Sequence, residues 1–353
     1  MRVAAFTKYD REAASTRQRL LQYVPSLKRA GFAVEHHPLL GDDYVRGLVT
    51  GRRPSPLSVV RAYGRRLEQL LAARECDLIW VYAELFPWLP SAFERLALRA
   101  DKPMIYDMDD AFFIPYEGKP LLDGKLELLL SAAAACTCGN DFLRDYASRF
   151  CERSIVVPTV VDTARYRPAR KGASRPLTIG WIGSPSTWGS VRPLLPLIEQ
   201  LCAERRVRFR VVGAGAEAKL DRFPGLELVD WSEASEIAEI QRMDVGIMPM
   251  LDDPFQRGKS GYKLVQYMAC GLPVVASPVG VNSRIVAHGE NGFLASSTDE
   301  WQAALIRLLD DAALRETMGK ASRALAERSY SLASQAPRVV ALFKSVTAGA
   351  PQS

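Results

Sequence analysis

Two lysines and a serine at the opening of a short helix are the residues of this chain best suited to chemistry. The run Gly258-Lys259-Ser260-Gly261-Tyr262-Lys263-Leu264-Val265-Gln266-Tyr267-Met268-Ala269-Cys270-Gly271 reads as a loop, a short helix capped by Ser260 and a glycine stop. Leu272 to Ser277 then reads as a buried strand. A helix entered through Lys259-Ser260-Gly261 suits a phosphate, because its unpaired N–H groups and positive dipole end face an anion and glycine permits close approach. Lys263 lies about one helical turn beyond Lys259, so both ammonium groups are expected on one side of the same helix. An ordinary cap with two solvated lysines would read the same way.

Other constellations point elsewhere. Gly213-x-Gly215-x-x-Ala218 fits a dinucleotide-binding fingerprint, with Asp230 near the expected distance beyond it. Leu177 to Ile182 already supplies that domain's first strand, however, and the fingerprint belongs after the first. Asp107-x-Asp109 could be the acid pair of a metal-dependent transferase. Six cysteines are scattered without a Cys-x-x-Cys pair, and there are only three histidines, so a zinc cluster is hard to assemble. The cysteines read as small buried side chains.

These residues need elements to hold them. The 353 residues suggest about two domains, and 48% hydrophobic with 24% charged residues fits a globular chain rather than a disordered or fibrous one. No apolar stretch reaches the roughly 18 residues of a membrane span, and no secretory signal opens the chain, so a cytoplasmic protein is expected. The net charge of +6 comes without a basic stripe interleaved with aromatics, so nucleic acid is not an expected partner. Short apolar strands alternate with helical patterns, which predicts an α/β fold. In the first half strands are expected at Val3–Thr7, Ala33–His36, Asp77–Val81, Pro103–Tyr106 and Ser154–Val157, with one helix over Ala14–Ala30. In the second they are expected at Leu177–Ile182, Phe209–Gly213, Leu226–Val229, Val245–Pro249 and Pro273–Ala276, with two helical stretches after Thr298 and a last helix over Gln335–Val346. The expected organisation is a first domain over 1–165, a linker over 166–176, a second domain over 177–330 and a terminal helix in 331–353 crossing back to the first. A cleft between the halves is the expected place for a ligand.

The run from Gln266 to Ser277, followed by Gly280 and by Glu290-Asn291-Gly292-Phe293-Leu294, resembles the donor half of family-4 glycosyltransferases. The likeness covers the chain from about Leu177 to its end; in the first half it rests on strand order. It implies the GT-B fold, two Rossmann-like parallel-sheet domains facing across a cleft. It also implies transfer of a sugar from a nucleotide-sugar donor to an acceptor hydroxyl with retention of configuration, without a metal or other cofactor. The expected settings are surface polysaccharide, glycolipid or secondary-metabolite glycosylation.

The resemblance also assigns residues. The family's two signature glutamates fall on Gly258 and Gln266 here, so Gln266 is left to bond the ribose and Asp252 or Asp253 to read the sugar. The family's basic residues after the domain's first strand are missing; that loop is Gly183-Ser184-Pro185-Ser186-Thr187-Trp188. Lys259 and Lys263, with Ser260, Gly261 and Tyr262, are therefore expected to hold the diphosphate. Gly213 and Gly215 would lie under the nucleotide, Pro249 would close a neighbouring strand, and Trp231 would either stack on the base or fill the core. On the acceptor side, Asp107 or Asp109 would hold the acceptor hydroxyl or take its proton, with Asp110 beside them, unless this stretch only caps the next helix. Arg17 and Arg19 would bind an acceptor phosphate or be solvated.

The segment Arg46 to Arg66 carries Arg46, Arg52, Arg53, Arg61, Arg65 and Arg66 without an acid, on an amphipathic pattern. It reads as a solvated helix face or as a surface for anionic lipid, which attracts about 1 kcal/mol per basic residue. The loss of both signature glutamates also admits a catalytically inactive nucleotide-sugar-binding or scaffold subunit.

Overall fold

A computed structural model describes residues 1–49, 55–169 and 175–349. Arg52 and Arg53, residues 170–174 of the expected linker and residues 350–353 lie outside the described residues. The chain divides into two compact units. The first comprises Met1–Thr159, Arg257–Ser260 and Gln335–Ser353; the second comprises Val160–Gln256 and Gly261–Ser334.

In the first unit, strands β1 (Arg2–Tyr9), β2 (Ala33–Leu40), β3 (Leu78–Tyr82), β4 (Met104–Met108), β5 (Ala135–Cys138) and β6 (Ser154–Val156) form one parallel sheet. Their order is β2-β1-β3-β4-β5-β6. β3, β4 and β5 are buried along their whole length, as strands covered on both faces are; β3 is apolar throughout, whereas β4 carries Asp107 and β5 carries Thr137. Register sets Tyr82 beside Asp107 and Asp107 beside Thr137 at the carboxyl ends of β3, β4 and β5.

The helices of this unit are α1 (Ala14–Arg19), α2 (Val24–Arg29), α3 (Asp42–Val49), α4 (Pro56–Ala72), α5 (Ser91–Leu98), α6 (Lys125–Ala132) and α7 (Asp141–Ala147). The single helix expected over 14–30 is thus two, parted by a tight turn at Leu21–Tyr23. Pro25, in the first turn of α2, has no N–H to continue the earlier ladder. β5 was not anticipated, because Ala-Cys-Thr-Cys lacks the branched apolar run that marks a strand.

In the second unit, β7 (Leu177–Ile182), β8 (Val207–Val212), β9 (Leu226–Val229), β10 (Val245–Met248), β11 (Val274–Ala276) and β12 (Gly292–Leu294) form a second parallel sheet, in the order β12-β11-β10-β7-β8-β9. Strand order reverses at β7, whose two neighbours β8 and β10 lead to opposite edges. Helices α8 (Leu195–Glu204), α9 (Glu236–Gln241), α10 (Pro254–Arg257), α11 (Tyr262–Ala269), α12 (Asn282–Ile285), α13 (Thr298–Asp310) and α14 (Ala312–Ser329) complete the series. Ser297 and Glu300 cap α13 reciprocally, which starts it sharply.

Tyr166, expected in a solvated linker, is instead buried in this unit's core with Leu264, Tyr267 and Met268. The last helix, α15 (Leu332–Ala348), is longer than expected, and its part from Gln335 onward belongs to the first unit. There Phe343 packs edge-on against Trp80 and Phe32.

Candidate functional site

In the second unit the expected donor residues gather at the carboxyl end of the sheet where strand order reverses. Gly183 follows β7, and Pro185–Ser190 make a tight helical turn. Ser184 and Ser186 share a hydroxyl hydrogen bond of 2.9 Å, and Thr187 Oγ1 donates to the Ser184 carbonyl at 2.9 Å. Lys263, in the first turn of α11, donates from Nζ to Thr187 Oγ1 at 3.0 Å, with its ammonium 4.5 Å from the Trp181 ring centroid. Glycines leave room for this cation. A side chain at 183 would stand 2.7 Å from Lys263 Nζ, and one at 213 would stand 2.5 Å from the Gly183 carbonyl oxygen. Gly213 is also left-handed, at φ +81°, and Gly215 lies against Pro185. The cation therefore sits over a backbone floor at the reversal point, the crevice where open α/β sheets bind ligands.

Beside it runs a polar chain. Gln266, 3% exposed, donates from Nε2 to the Tyr166 hydroxyl at 3.2 Å. Tyr166 in turn donates to Glu236 Oε1, and its oxygen lies 3.5 Å from that of Tyr262. Trp231 Nε1 donates to Glu236 Oε2 at 2.9 Å, which tethers the half-buried indole to α9. The donor end of Gln266 is thus committed inside the unit. Pro249 is buried just past β10, Asp253 Oδ1 accepts from Gln256 N at 2.9 Å at the start of α10, and Asp252 is exposed.

Two expectations for the helix entrance are corrected. The N-cap of α11 is Gly261, left-handed at φ 66°, and no side chain caps it. The Ser260 hydroxyl instead donates to the Asp109 carbonyl at 2.6 Å. Nor do the lysines share one helix: Lys259 precedes α11, belongs to the first unit and lies 3.7 Å from Asp110 Oδ1. A side chain at Gly258 would fall 2.6 Å from Ala111 Cβ and 2.9 Å from Ala111 N, so the segment lies too close to that loop for any residue but glycine. A phosphate at this entrance would compete with Asp110 for Lys259 and with the Asp109 carbonyl for Ser260.

The first unit separates the three aspartates. Asp107, 1% exposed, faces Arg19 at 2.5 Å and 3.0 Å and accepts from Thr137 Oγ1 at 2.5 Å. Arg19 also donates to the Val157 carbonyl at 2.7 Å. Burial opposes the Arg19 charge, but Asp107 outweighs it and raises the guanidinium pKa above its ordinary value. Arg17, also buried, donates to the carbonyls of Arg11 and Glu12. These placements correct the expectation that Arg17 and Arg19 meet an acceptor phosphate and that Asp107 takes a proton. All three are inside, and the Asp107–Arg19 pair clamps α1 onto β4.

Asp109 and Asp110 differ. Asp109 Oδ1 accepts from the Tyr82 hydroxyl at 2.5 Å, and burial raises its pKa although Arg19 pulls it back. Asp110 keeps 31% of its side-chain surface, while its Oδ1 is shielded and accepts no hydrogen bond. Burial pushes the Asp110 carboxyl up to about 7, against the pull of Lys259. A carboxyl poised there can hold a hydroxyl and take its proton near neutral pH.

The geometry engages the Asp107–Asp109 pair inside its unit and puts the Gly213 fingerprint after a later strand. Asp107 and Asp109 are spent on Arg19 and Tyr82, and among the described residues no group of three or more His, Cys, Asp or Glu side chains is placed to hold a metal ion. Gly213 follows the second strand of its sheet, not the first. Arg66, read as part of a basic surface, is fully buried and donates to the carbonyls of Thr7 and His37, and Arg46 is paired with Glu12 and Asp43. Tyr82, Asn140, Tyr166 and Glu236 were not singled out from sequence. Only Asn140 left a readable signal, a Gly-Asn-Asp start before an apolar helix pattern.

Two six-stranded parallel sheets, each flanked by helices and with a polar site at carboxyl strand ends, define a protein of the GT-B class. Residues 176–311 match the family described as glycosyl transferases group 1. The D-inositol 3-phosphate glycosyltransferase of Pseudarthrobacter chlorophenolicus is 31% identical over 142 residues, 38% of this chain and 31% of that protein. The MMP alpha-(1->4)-mannosyltransferase of Mycolicibacterium hassiacum is 30% identical over 234 residues, 63% of this chain and 54% of that protein. The match thus spans only about a third to a half of these relatives' own length. Anabaena HepE, solved with UDP-glucose, shares the fold at a TM-score of 0.74 and 16% identity, over 98% of this chain and 100% of that one. Among the described residues no helix is long and apolar enough to cross a membrane.

Proposed function

We propose that this protein is a glycosyltransferase that moves a sugar from a nucleoside-diphosphate sugar to an acceptor hydroxyl with retention of configuration and without a metal. The observation that carries the reading is Lys263, held at 3.0 Å by Thr187 over the glycine floor at the β7 reversal point. Breaking the sugar–phosphate bond leaves negative charge on the diphosphate, and an ammonium beside the first-turn N–H groups of α11 is placed to stabilise it. The donor class is supported by the match of residues 176–311 to glycosyl transferases group 1 and by the UDP-glucose of the HepE structure. On the acceptor side, Asp110 is the carboxyl suited to hold the hydroxyl, with Asp109 fixed behind it by Tyr82. In the retaining reaction the C1–phosphate bond breaks, the acceptor oxygen bonds C1 from the same face, and the hydroxyl proton leaves with the diphosphate.

Thermal shift with UDP, GDP, ADP and TDP tests the donor reading, since a bound nucleotide stabilises by mass action. One nucleotide is expected to raise the melting temperature of the wild type, and Lys263→Ala is expected to reduce that shift without lowering the melting point of the free protein by more than a few degrees. No shift with any of the four would overturn the donor site. With the donor identified, NMR of the product anomer tests retention, and undiminished turnover in EDTA tests metal independence. A nucleotide sugar that binds but is neither hydrolysed nor transferred would leave the scaffold reading, which the replacement of both signature glutamates favours.

The settings we propose remain surface polysaccharide, glycolipid or secondary-metabolite glycosylation. A lipid-linked acceptor would suit the outer face of α4, where Leu57, Val60 and Leu71 are 57%, 65% and 61% exposed near Arg61 and Arg65. Arg61→Gln with Arg65→Gln is expected to release the protein from phosphatidylglycerol vesicles; binding that persists unchanged would discard the membrane contact.

A further inference from the structure

Besides the residues from Gln335 onward, four residues from the second half of the sequence belong to the first unit. Arg257–Ser260 lies among its loops, although Gln256 before it and Gly261 after it belong to the second unit. Beyond Arg257, the last residue of α10, Gly258–Ser260 has no strand or helix ladder of its own, so its position depends on what grips its backbone. The grip comes chiefly from Asn140. Its Nδ2 donates to the Gly258 carbonyl at 2.9 Å and to the Lys259 carbonyl at 3.0 Å. Its Oδ1 meanwhile accepts from Leu143 N at 2.9 Å, which makes Asn140 the N-cap of α7. The side chain is 3% exposed, and both ends of the amide are used.

We infer that Asn140 is a positioning residue for the acceptor-side carboxyl, acting through Lys259: by holding the two carbonyls that flank the Lys259 Cα, it sets the Lys259 ammonium against Asp110. This rests on the reading of Asp110 as the acceptor-holding group. The amide fits the task in a way no other side chain would. One end must accept, to cap the helix; the other must donate twice, to neighbouring carbonyls. A carboxylate would cap equally well but would repel both carbonyls, and a hydroxyl would cap but is too short to span them. Close packing supports the arrangement: a side chain at Gly139 would stand 2.6 Å from Ser260 Oγ and 3.1 Å from the Asp109 Cα. The charged and titratable groups around Asp110 are Lys259 on the gripped segment and Asp109 on its own loop, with Tyr82 of β3, Arg19 of α1 and Asp107 of β4 behind Asp109.

The test uses the full-length protein and needs no substrate. Asn140→Ser keeps a neutral N-cap and loses both long donations; Asn140→Thr is the second neutral variant should the first fail to fold. The probe is the 13C side-chain titration of Asp110. With Asn140 shortened, Lys259 no longer holds its place and the Asp110 midpoint moves upward, by about one unit for full loss of an opposite charge at this range. Lys259→Ala is expected to give the same upward move, and adding Asn140→Ser to it is expected to give no more. If Asn140→Ser leaves the midpoint at its wild-type value while Lys259→Ala raises it, the positioning role is overturned. A merely structural cap would change the melting temperature and leave this titration alone. Because the readout is a titration and not turnover, it stands or falls separately from the glycosyltransferase reading. Where turnover is measurable, the acid limb of kcat/KM should move upward by the same amount.

Discussion

Gln266 falls where the resemblance expects a glutamate, and its neighbours account for an amide there. The Tyr166 hydroxyl has one proton and gives it to Glu236, so position 266 must donate to that oxygen, which an amide does and a carboxylate does not. Gln266→Glu would set two carboxylates competing for one phenol proton and is expected to cost about 1–3 kcal/mol in urea unfolding. Glu236→Gln in the same chain should recover part of the loss; additive losses would show that the pair is uncoupled. Asp110 carries a second expectation. The fold retains its proton up to about pH 7, whereas the unfolded chain releases it near the ordinary carboxylate value. The folded state therefore binds more protons between those points, and stability falls as pH rises through that window. Asp110→Asn removes the loss: its melting temperature should exceed the wild type's at pH 8 and converge with it near pH 4. Equal melting temperatures at pH 8 would refute the placement. From sequence, the Asp107-Met108-Asp109-Asp110 run was visible as a group, but its division into a clamp, a tethered acid and a poised acid was not. That division depends on Arg19 and Lys259, distant in the chain.

At the scale of elements, the loops that leave β7 and β8 matter more than the strands themselves. Gly213→Ala would put a methyl 2.5 Å from the Gly183 carbonyl and force a left-handed backbone on an L residue. The backbone conformation alone costs about 1–2 kcal/mol. The expected result is lower stability together with loss of the nucleotide thermal shift, because the backbone floor under Lys263 moves. A fully stable Gly213→Ala that still binds would show that the floor is not needed. The long buried strands were legible in the sequence, since both-face burial leaves a largely apolar run, as in Leu78–Tyr82. β5 and β12 were not. The first has small side chains, and Gly292–Leu294 is too short to show a period. Ser260 was misread as a cap because its residue type fits that role; here a carbonyl of a distant loop takes its hydroxyl instead.

At the scale of the molecule, the two units are not two halves of the sequence. α15 closes the first unit's core through Val339, Leu342 and Phe343, some two hundred residues after that unit's sheet is complete. Phe343→Ala is expected to cost about 3–5 kcal/mol. Hydrogen exchange should locate the loss in β1 and β3 of the first unit and leave β7 and β10 protected; uniform loss across both sheets would contradict separate cores. The sequence by itself determined the α/β class, two parallel sheets and the likeness of residues 176–311 to glycosyl transferases group 1, because strand burial, helix periodicity and the 266–294 motifs are local patterns. Tertiary structure alone decided which charges are spent and which are available. Arg19 and Asp107 cancel each other inside, Lys259 goes to Asp110, and Lys263 goes to the glycine floor. An ion pair or a buried hydrogen bond is a relation between residues far apart in the chain, and no spacing rule encodes it.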